Sequence, residues 1–159
     1  MSTRVADGLG LIARLVLGSV FLVAGALKVT TPEALATATQ AYQVLPHELA
    51  AYVGYALPIV EIILGLLLVV GLFTRASAII TSLLLVAFII GIAQAWARGL
   101  TIDCGCFGGG GTVSAAETSY LPRILEDIGL LACGLWLAWR PRSPLALERA
   151  LFGSTEQPN

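Results

Sequence analysis

The sequence predicts an all-α membrane protein: a four-transmembrane-helix bundle with a short interfacial helix in its first outer loop. Three observations carry that prediction. Of 159 residues, 57% are apolar and 12% charged, against about 45–50% and 25% in an average soluble domain. With a mean hydropathy of +0.88, too few polar side chains remain to coat a water-soluble body, so part of the surface must face hydrocarbon. The 22 residues from Ala76 to Ala97 carry no charge, enough at about 1.5 Å each to cross a hydrocarbon core of about 30 Å. Three further apolar stretches of similar length are broken only by isolated ionisable residues. Nine Lys/Arg against ten Asp/Glu leave a net charge of −1, which excludes nucleic acid as a partner, since that needs a dense basic footprint.

The first span covers residues 9–29 and contains Arg14 and Lys28; residues 1–8 precede it as a cytoplasmic N-terminus. Arg4 ahead of the apolar run and the small residues Ala24-Gly25-Ala26 also fit a cleavable signal. Arg14 sits badly in a signal core, however, and three remaining spans would put the two ends on opposite sides, so the anchored reading is preferred. The connection from Thr30 to Leu49 holds the interfacial helix. Thr31-Pro32-Glu33 reads as an N-cap, a proline at the first helical position and an acid in the first turn, and Pro46 is expected to stop the helix. Leu35, Tyr42 and Leu45 recur at near-helical spacing. His47, the only histidine, reads as a solvated loop residue.

The second span, residues 50–73, carries Glu61 near its middle and Pro58, which removes a helical donor from the Gly54 carbonyl and predicts a kink or a polar neighbour there. The third, residues 76–97, is followed by Arg98 and a loop from Gly99 to Ser119. The fourth, residues 120–139, carries Arg123, Glu126 and Asp127. Residues 141–159 form a cytoplasmic tail. Termini inside give the inner ends Arg4, Arg14, Arg75, Arg140, Arg142 and Arg149 and the outer ends Lys28, Arg98 and Arg123, as the enrichment of basic residues on the cytoplasmic side requires. Small residues are placed for close helix contacts: Gly18 and Gly25, Gly54 and Gly65, Gly91 and Ala95, Gly129 and Cys133.

The chemistry concentrates in Asp103-Cys104-Gly105-Cys106-Phe107 and the four glycines that follow. Two thiols separated by one glycine can close a small, strained disulfide, and strain makes such a bond easier to reduce. The loop faces the oxidising compartment by the charge count, where a disulfide persists. An inert staple is a weaker reading, because closing so short a loop stabilises little. Soft-metal capture by the two thiolates, with Asp103 or His47 as further ligands, leaves an incomplete site, so no metal is assigned. Cys133, about 20 Å into the fourth span at helical rise, is too deep to resolve a disulfide in the loop and reads as a small residue at a helix contact. Ionisable groups inside a bilayer are costly and are functional or paired. Lys28, Glu61, Arg98, Asp103, Arg123 and Asp127 are therefore candidate supporting residues: a cation to lower a thiol pKa, a carboxylate to handle protons. Arg123 and Asp127, four apart, can pair. The plain alternative is that these charges only fasten the helices together.

Arg14, Gly18, Gly25 and Lys28, then Tyr42-Gln43-Val44-Leu45-Pro46, Leu57-Pro58-Ile59-Val60-Glu61 with Gly65, and Asp103-Cys104-Gly105-Cys106-Phe107-Gly108 together resemble the DoxX-like, methylamine-utilisation MauE group of bacterial membrane proteins. The resemblance runs from about Arg14 to Trp139, and Cys-Gly-Cys-Phe-Gly is its most specific part. It implies a four-helix protein of the bacterial inner membrane, associated with redox maturation of exported proteins. It further implies a thioredoxin-like or disulfide-containing extracytoplasmic partner and, from the DoxX side, a quinone as cofactor. Cys104 and Cys106 would be the redox pair, with Lys28 and Glu61 as polar positions of the bundle. Four-helix disulfide-generating membrane enzymes use two cysteine pairs, whereas this chain offers one. The resulting expectation is a membrane thiol-disulfide oxidoreductase. Its rival is a small carrier or scaffold in which the loop disulfide is incidental.

Overall fold

The computed structural model describes residues 3–103, 111–112 and 120–140. Five helices account for nearly all of them: α1 (Thr3–Val29), α2 (Pro32–Ala41), α3 (His47–Val70), α4 (Thr74–Ala97) and α5 (Tyr120–Trp139). Two short strands, β1 (Ile102–Asp103) and β2 (Gly111–Thr112), pair antiparallel between α4 and α5. The all-helical architecture expected of the chain is thus borne out. Three helices, α1, α3 and α4, are long and apolar enough to cross a membrane.

The helix ends differ from the expected spans for local reasons. Helix α1 begins at Thr3, so residues expected to precede the first span are already helical, and Ala6 is buried. Helix α3 starts at His47 and stops at Val70, where Gly71 takes the left-handed conformation (φ 75°) that ends helices without steric cost. Leu72 and Phe73 then form a tight turn rather than a continuation; Phe73 has φ 49° and heads α4. Thr31 and Pro32 head α2 as expected, though the Thr31 side chain makes no capping bond. Pro46 does not terminate α2. The helix ends at Ala41, the chain turns at Gln43 (φ 52°), and Pro46 instead heads α3. Pro58 lies buried within an α3 that runs unbroken past it.

Contacts along the seams show how the helices are layered. Gly18 of α1 faces Gly65 and Leu68 of α3, while Gly25 faces Pro58 and Ile62. Rising numbers on one helix meet falling numbers on the other, so the pair is antiparallel. Helix α4 pairs with α5 in the same way: Ser82 abuts Gly134, and Trp96 stacks on Tyr120 with ring centroids 6.2 Å apart. Leu17 of α1 reaches Gly134 and joins the two pairs. The core of Leu17, Phe21, Leu64, Leu68, Ala78, Leu85 and Leu137 fills the space between them.

The expected contact at Gly129 is not made; nothing lies within 4 Å of where its Cβ would stand, and Gly134, a turn and a half further on, makes the close approach instead. Cys133 packs against the core, as expected of a small residue at a helix contact. Large apolar side chains such as Ile12, Ile59, Leu83 and Ile90 point outward from the three apolar helices, the surface that hydrocarbon requires.

Helix α2 lies across one end. Its buried residues Leu35, Ala36 and Ala38 face inward, and the backbone of Ala36 is close enough to Gly54 of α3 that an added Cβ there would come within 2.8 Å. His47 is exposed at the head of α3, in keeping with a solvated residue.

Candidate functional site

A charged side chain on an apolar helix must find a counter-charge, because the cost of leaving it unpaired in a low-dielectric interior exceeds any packing gain. Lys28 lies in the last turn of α1 and Glu61 past the midpoint of α3, and the antiparallel register brings the two together. Their Nζ and Oε1 atoms are 2.6 Å apart, with side chains only 4% and 2% exposed. Phe88 of α4 places its ring 5.6 Å from the Lys28 ammonium, near enough for the ring face to attract the cation. Asp127 of α5, 8% exposed, completes the layer from the fourth side.

These residues surround a cavity of about 40 Å³, lined also by Arg123 and Glu126. Arg123 donates to Glu126 Oε2 at 2.8 Å, both side chains being partly exposed, and its charge also acts on Asp127. At three residues' separation the helix brings Glu126 alongside Arg123, while Asp127 turns inward.

A second cavity, of about 440 Å³, opens between α2, α3 and α4. Its walls are apolar, with Leu57, Leu84 and Ile92 among them, and Lys28, Thr39, Tyr42 and Gln94 supply the polar groups. Lys28 lines both cavities.

Arg98 is not part of this layer. It is exposed and donates to the Gln43 carbonyl (3.3 Å), to Gln43 Oε1 (3.1 Å) and to Gln94 Oε1 (3.2 Å). Gln94 in turn donates to the Tyr42 carbonyl at 2.9 Å. The end of α4 thereby holds the α2–α3 connection in place, a fastening role that a charge count does not distinguish from a catalytic one.

Asp103 pairs through its backbone with Gly111, and Ile102 with Thr112, so the residues flanking 104–110 are held side by side. Cys104 and Cys106 lie outside the described residues, as does the tail 141–159. The strand pair is seated by Tyr120: its hydroxyl donates to the Leu100 carbonyl and accepts from the Ile102 amide at 3.3 Å. Ile102 itself is buried. Tyr120 lies seven residues before Asp127 on α5, about 10 Å at helical rise, which puts the strand pair at the same end of the bundle as the charged layer. Tyr120→Phe removes the shared hydroxyl, about 1 kcal/mol of local stability. Amide exchange at Ile102 should then quicken about fivefold while the global unfolding midpoint barely moves; unchanged exchange would dismiss this tether.

Sequence reasoning missed Phe88 and the large cavity. Gln94, the only carboxamide in the uncharged run Ala76–Ala97, was a visible signal for the cavity's polar rim. Phe88 left none, because an aromatic in an apolar helix is ordinary.

Three long apolar helices, with a buried ion pair at one end of the bundle and a strand pair seated above it, are those of a polytopic membrane protein. The chain belongs to the MauE family: the model of the methylamine utilisation protein MauE matches residues 6–140. That match does not extend to the DoxX-like side of the resemblance. No curated protein and no solved structure matches the chain.

Proposed function

We propose that this protein is a membrane thiol-disulfide oxidoreductase of redox maturation, exchanging disulfides with an exported or thioredoxin-like partner through Cys104 and Cys106. The observation that carries the proposal is the MauE match, which runs through the Cys-Gly-Cys segment. A partner thiolate attacks one sulfur of a Cys104–Cys106 disulfide and displaces the other as thiolate. The displaced thiolate then breaks the mixed disulfide when exchange runs in reverse. Run forward, a second partner thiol releases the partner as a disulfide and leaves Cys104 and Cys106 reduced, with two electrons and two protons to pass on.

A quinone is the acceptor we propose for them; when bound it supplies a two-electron, two-proton sink within the lipid phase. The residues present fit such a group. The cavity of about 440 Å³ falls in the range of small-molecule sites, its walls are apolar, and Lys28 offers a donor to a carbonyl oxygen.

The topology proposed with this function has α5 as the fourth crossing, both termini cytoplasmic and the cysteine loop extracytoplasmic, in a bacterial inner membrane. Twenty residues of α5 span about 30 Å, and Leu121, Leu125, Ile128 and Leu135 give it an exposed apolar stripe. Its three charges near one end keep it from reading as an apolar span.

Thiol trapping in intact cells tests the proposal. Either Cys104→Ser or Cys106→Ser should accumulate a reductant-sensitive adduct with another protein, and the double replacement should abolish both adduct and activity. A double variant that keeps full activity would replace the proposal with a carrier or scaffold.

A further inference from the structure

Two carboxylate oxygens in the charged layer have no hydrogen-bond partner among the described residues: Glu61 Oε2 and Asp127 Oδ2. Both belong to side chains more than nine-tenths buried, and both residues line the cavity of about 40 Å³ beside Lys28. A buried ionised oxygen without a donor is expensive, and here two share one small space. The charges around that space do not cancel. Helix α1 contributes Lys28, α3 contributes Glu61, and α5 contributes Arg123, Glu126 and Asp127, while α4 presents only Leu85 and Phe88. Among the described residues two cations face three carboxyl groups, so one negative charge is in excess when all are ionised.

We propose that this cavity is a proton-binding site, in which Glu61 and Asp127 together hold one exchangeable proton beside Lys28. One proton removes the excess charge. It also turns one of the two orphaned oxygens into a donor, directed at the other carboxylate or at a bridging water. The cavity has room for that water, since one needs about 10–15 Å³. Lys28 already satisfies Glu61 Oε1, so the proton is left to the far sides of the two carboxyl groups. Release is a simple transfer: a carboxyl O–H bond breaks, its electron pair stays on the carboxylate, and the proton passes to water at the Arg123–Glu126 side, where those side chains are 34% and 53% exposed. Because Lys28 borders both cavities, a change of charge here alters the field in the larger one. The site would take up or deliver protons whenever a redox ligand there gains or loses them.

Infrared difference spectroscopy on the purified full chain, stepped in pH and repeated in heavy water, reads the site without thiols, quinone or partner. The wild type should show one buried carboxylic-acid C=O band that shifts in heavy water and vanishes as pH rises. Glu61→Gln and Asp127→Asn each leave one carboxylate against Lys28 and should each lose the band. Lys28→Met removes the cation, so the band should double. That gain cannot come from a misfolded chain with solvated carboxyl groups, and it protects the test if the other two variants fold poorly. Cys104→Ser with Cys106→Ser should leave the band intact, which separates this inference from the disulfide-exchange proposal on which its functional use rests. A wild type with no such band, a Lys28→Met band that does not grow, or a band abolished by sodium ions at constant pH would overturn the assignment, the last in favour of a metal cation.

Discussion

Replacing Glu61 with Ala is expected to lower the stability of the folded bundle by about 3 kcal/mol. Removing one partner of a buried ion pair typically costs about 3–5 kcal/mol, because the other charge stays buried without its hydrogen bond. Here the lower end applies, since Asp127 across the cavity still supplies a counter-charge. The pair itself is a different matter. Its desolvation offsets most of its attraction, so replacing both members with apolar residues of similar volume is often neutral or stabilising. Lys28→Met with Glu61→Leu should therefore recover most of what Glu61→Ala loses, packed against Phe88, Leu85 and Ala24. Reversible unfolding in detergent micelles measures both. A Glu61→Ala loss below about 1 kcal/mol, the scale of an exposed pair, would mean that Lys28 reaches water by another route. A double variant as unstable as the single one would mean that the layer needs its charges to pack.

What the sequence disclosed of this layer, and what it withheld, follows from the range of the forces involved. Lys28, Glu61 and Asp127 announced themselves because an ionisable residue in an apolar run is costly wherever the fold places it. Arg98 announced itself in the same way and fastens a loop, because charge alone carries no direction. The rotation of α5 about its axis was equally unreadable. Gly129 and Gly134 are both small residues on one helix, and only the packing of Leu17 and Ser82 decides which of them is approached. Pro46 failed as a stop signal because α2 ended four residues sooner, at a turn that placed Gln43 in a left-handed conformation, a choice that depends on Gln94 and Arg98 more than fifty residues away. The three long apolar helices, by contrast, were legible in all but their ends, because their signal is the sum of some twenty local preferences.

Gly65→Ala is expected to cost about 2 kcal/mol even though alanine favours a helix by up to about 1 kcal/mol. An added Cβ would stand 2.7 Å from the Leu22 amide nitrogen and 2.8 Å from the Gly18 carbonyl oxygen. Both are backbone atoms of α1, so no rotamer relieves the overlap and the two helices must separate, an overpacking penalty of about 1–3 kcal/mol. Gly129→Ala, with open space at its Cβ, should instead gain the propensity term. The consequence for the charged layer follows from position. Gly65 lies about one turn beyond Glu61 on α3, and Gly25 about one turn before Lys28 on α1, so the close seam between α1 and α3 sets the 2.6 Å approach of the ion pair. A helix separation of several tenths of an ångström stretches that bond as well. Gly65→Ala and Glu61→Ala should then be less than additive, the combined loss falling short of the sum by about 1 kcal/mol, since the first change already gives up part of what the second removes. Strict additivity would show that the lysine side chain follows the carboxylate as the helices part, and that the glycine seam and the ion pair are independent features of the same interface.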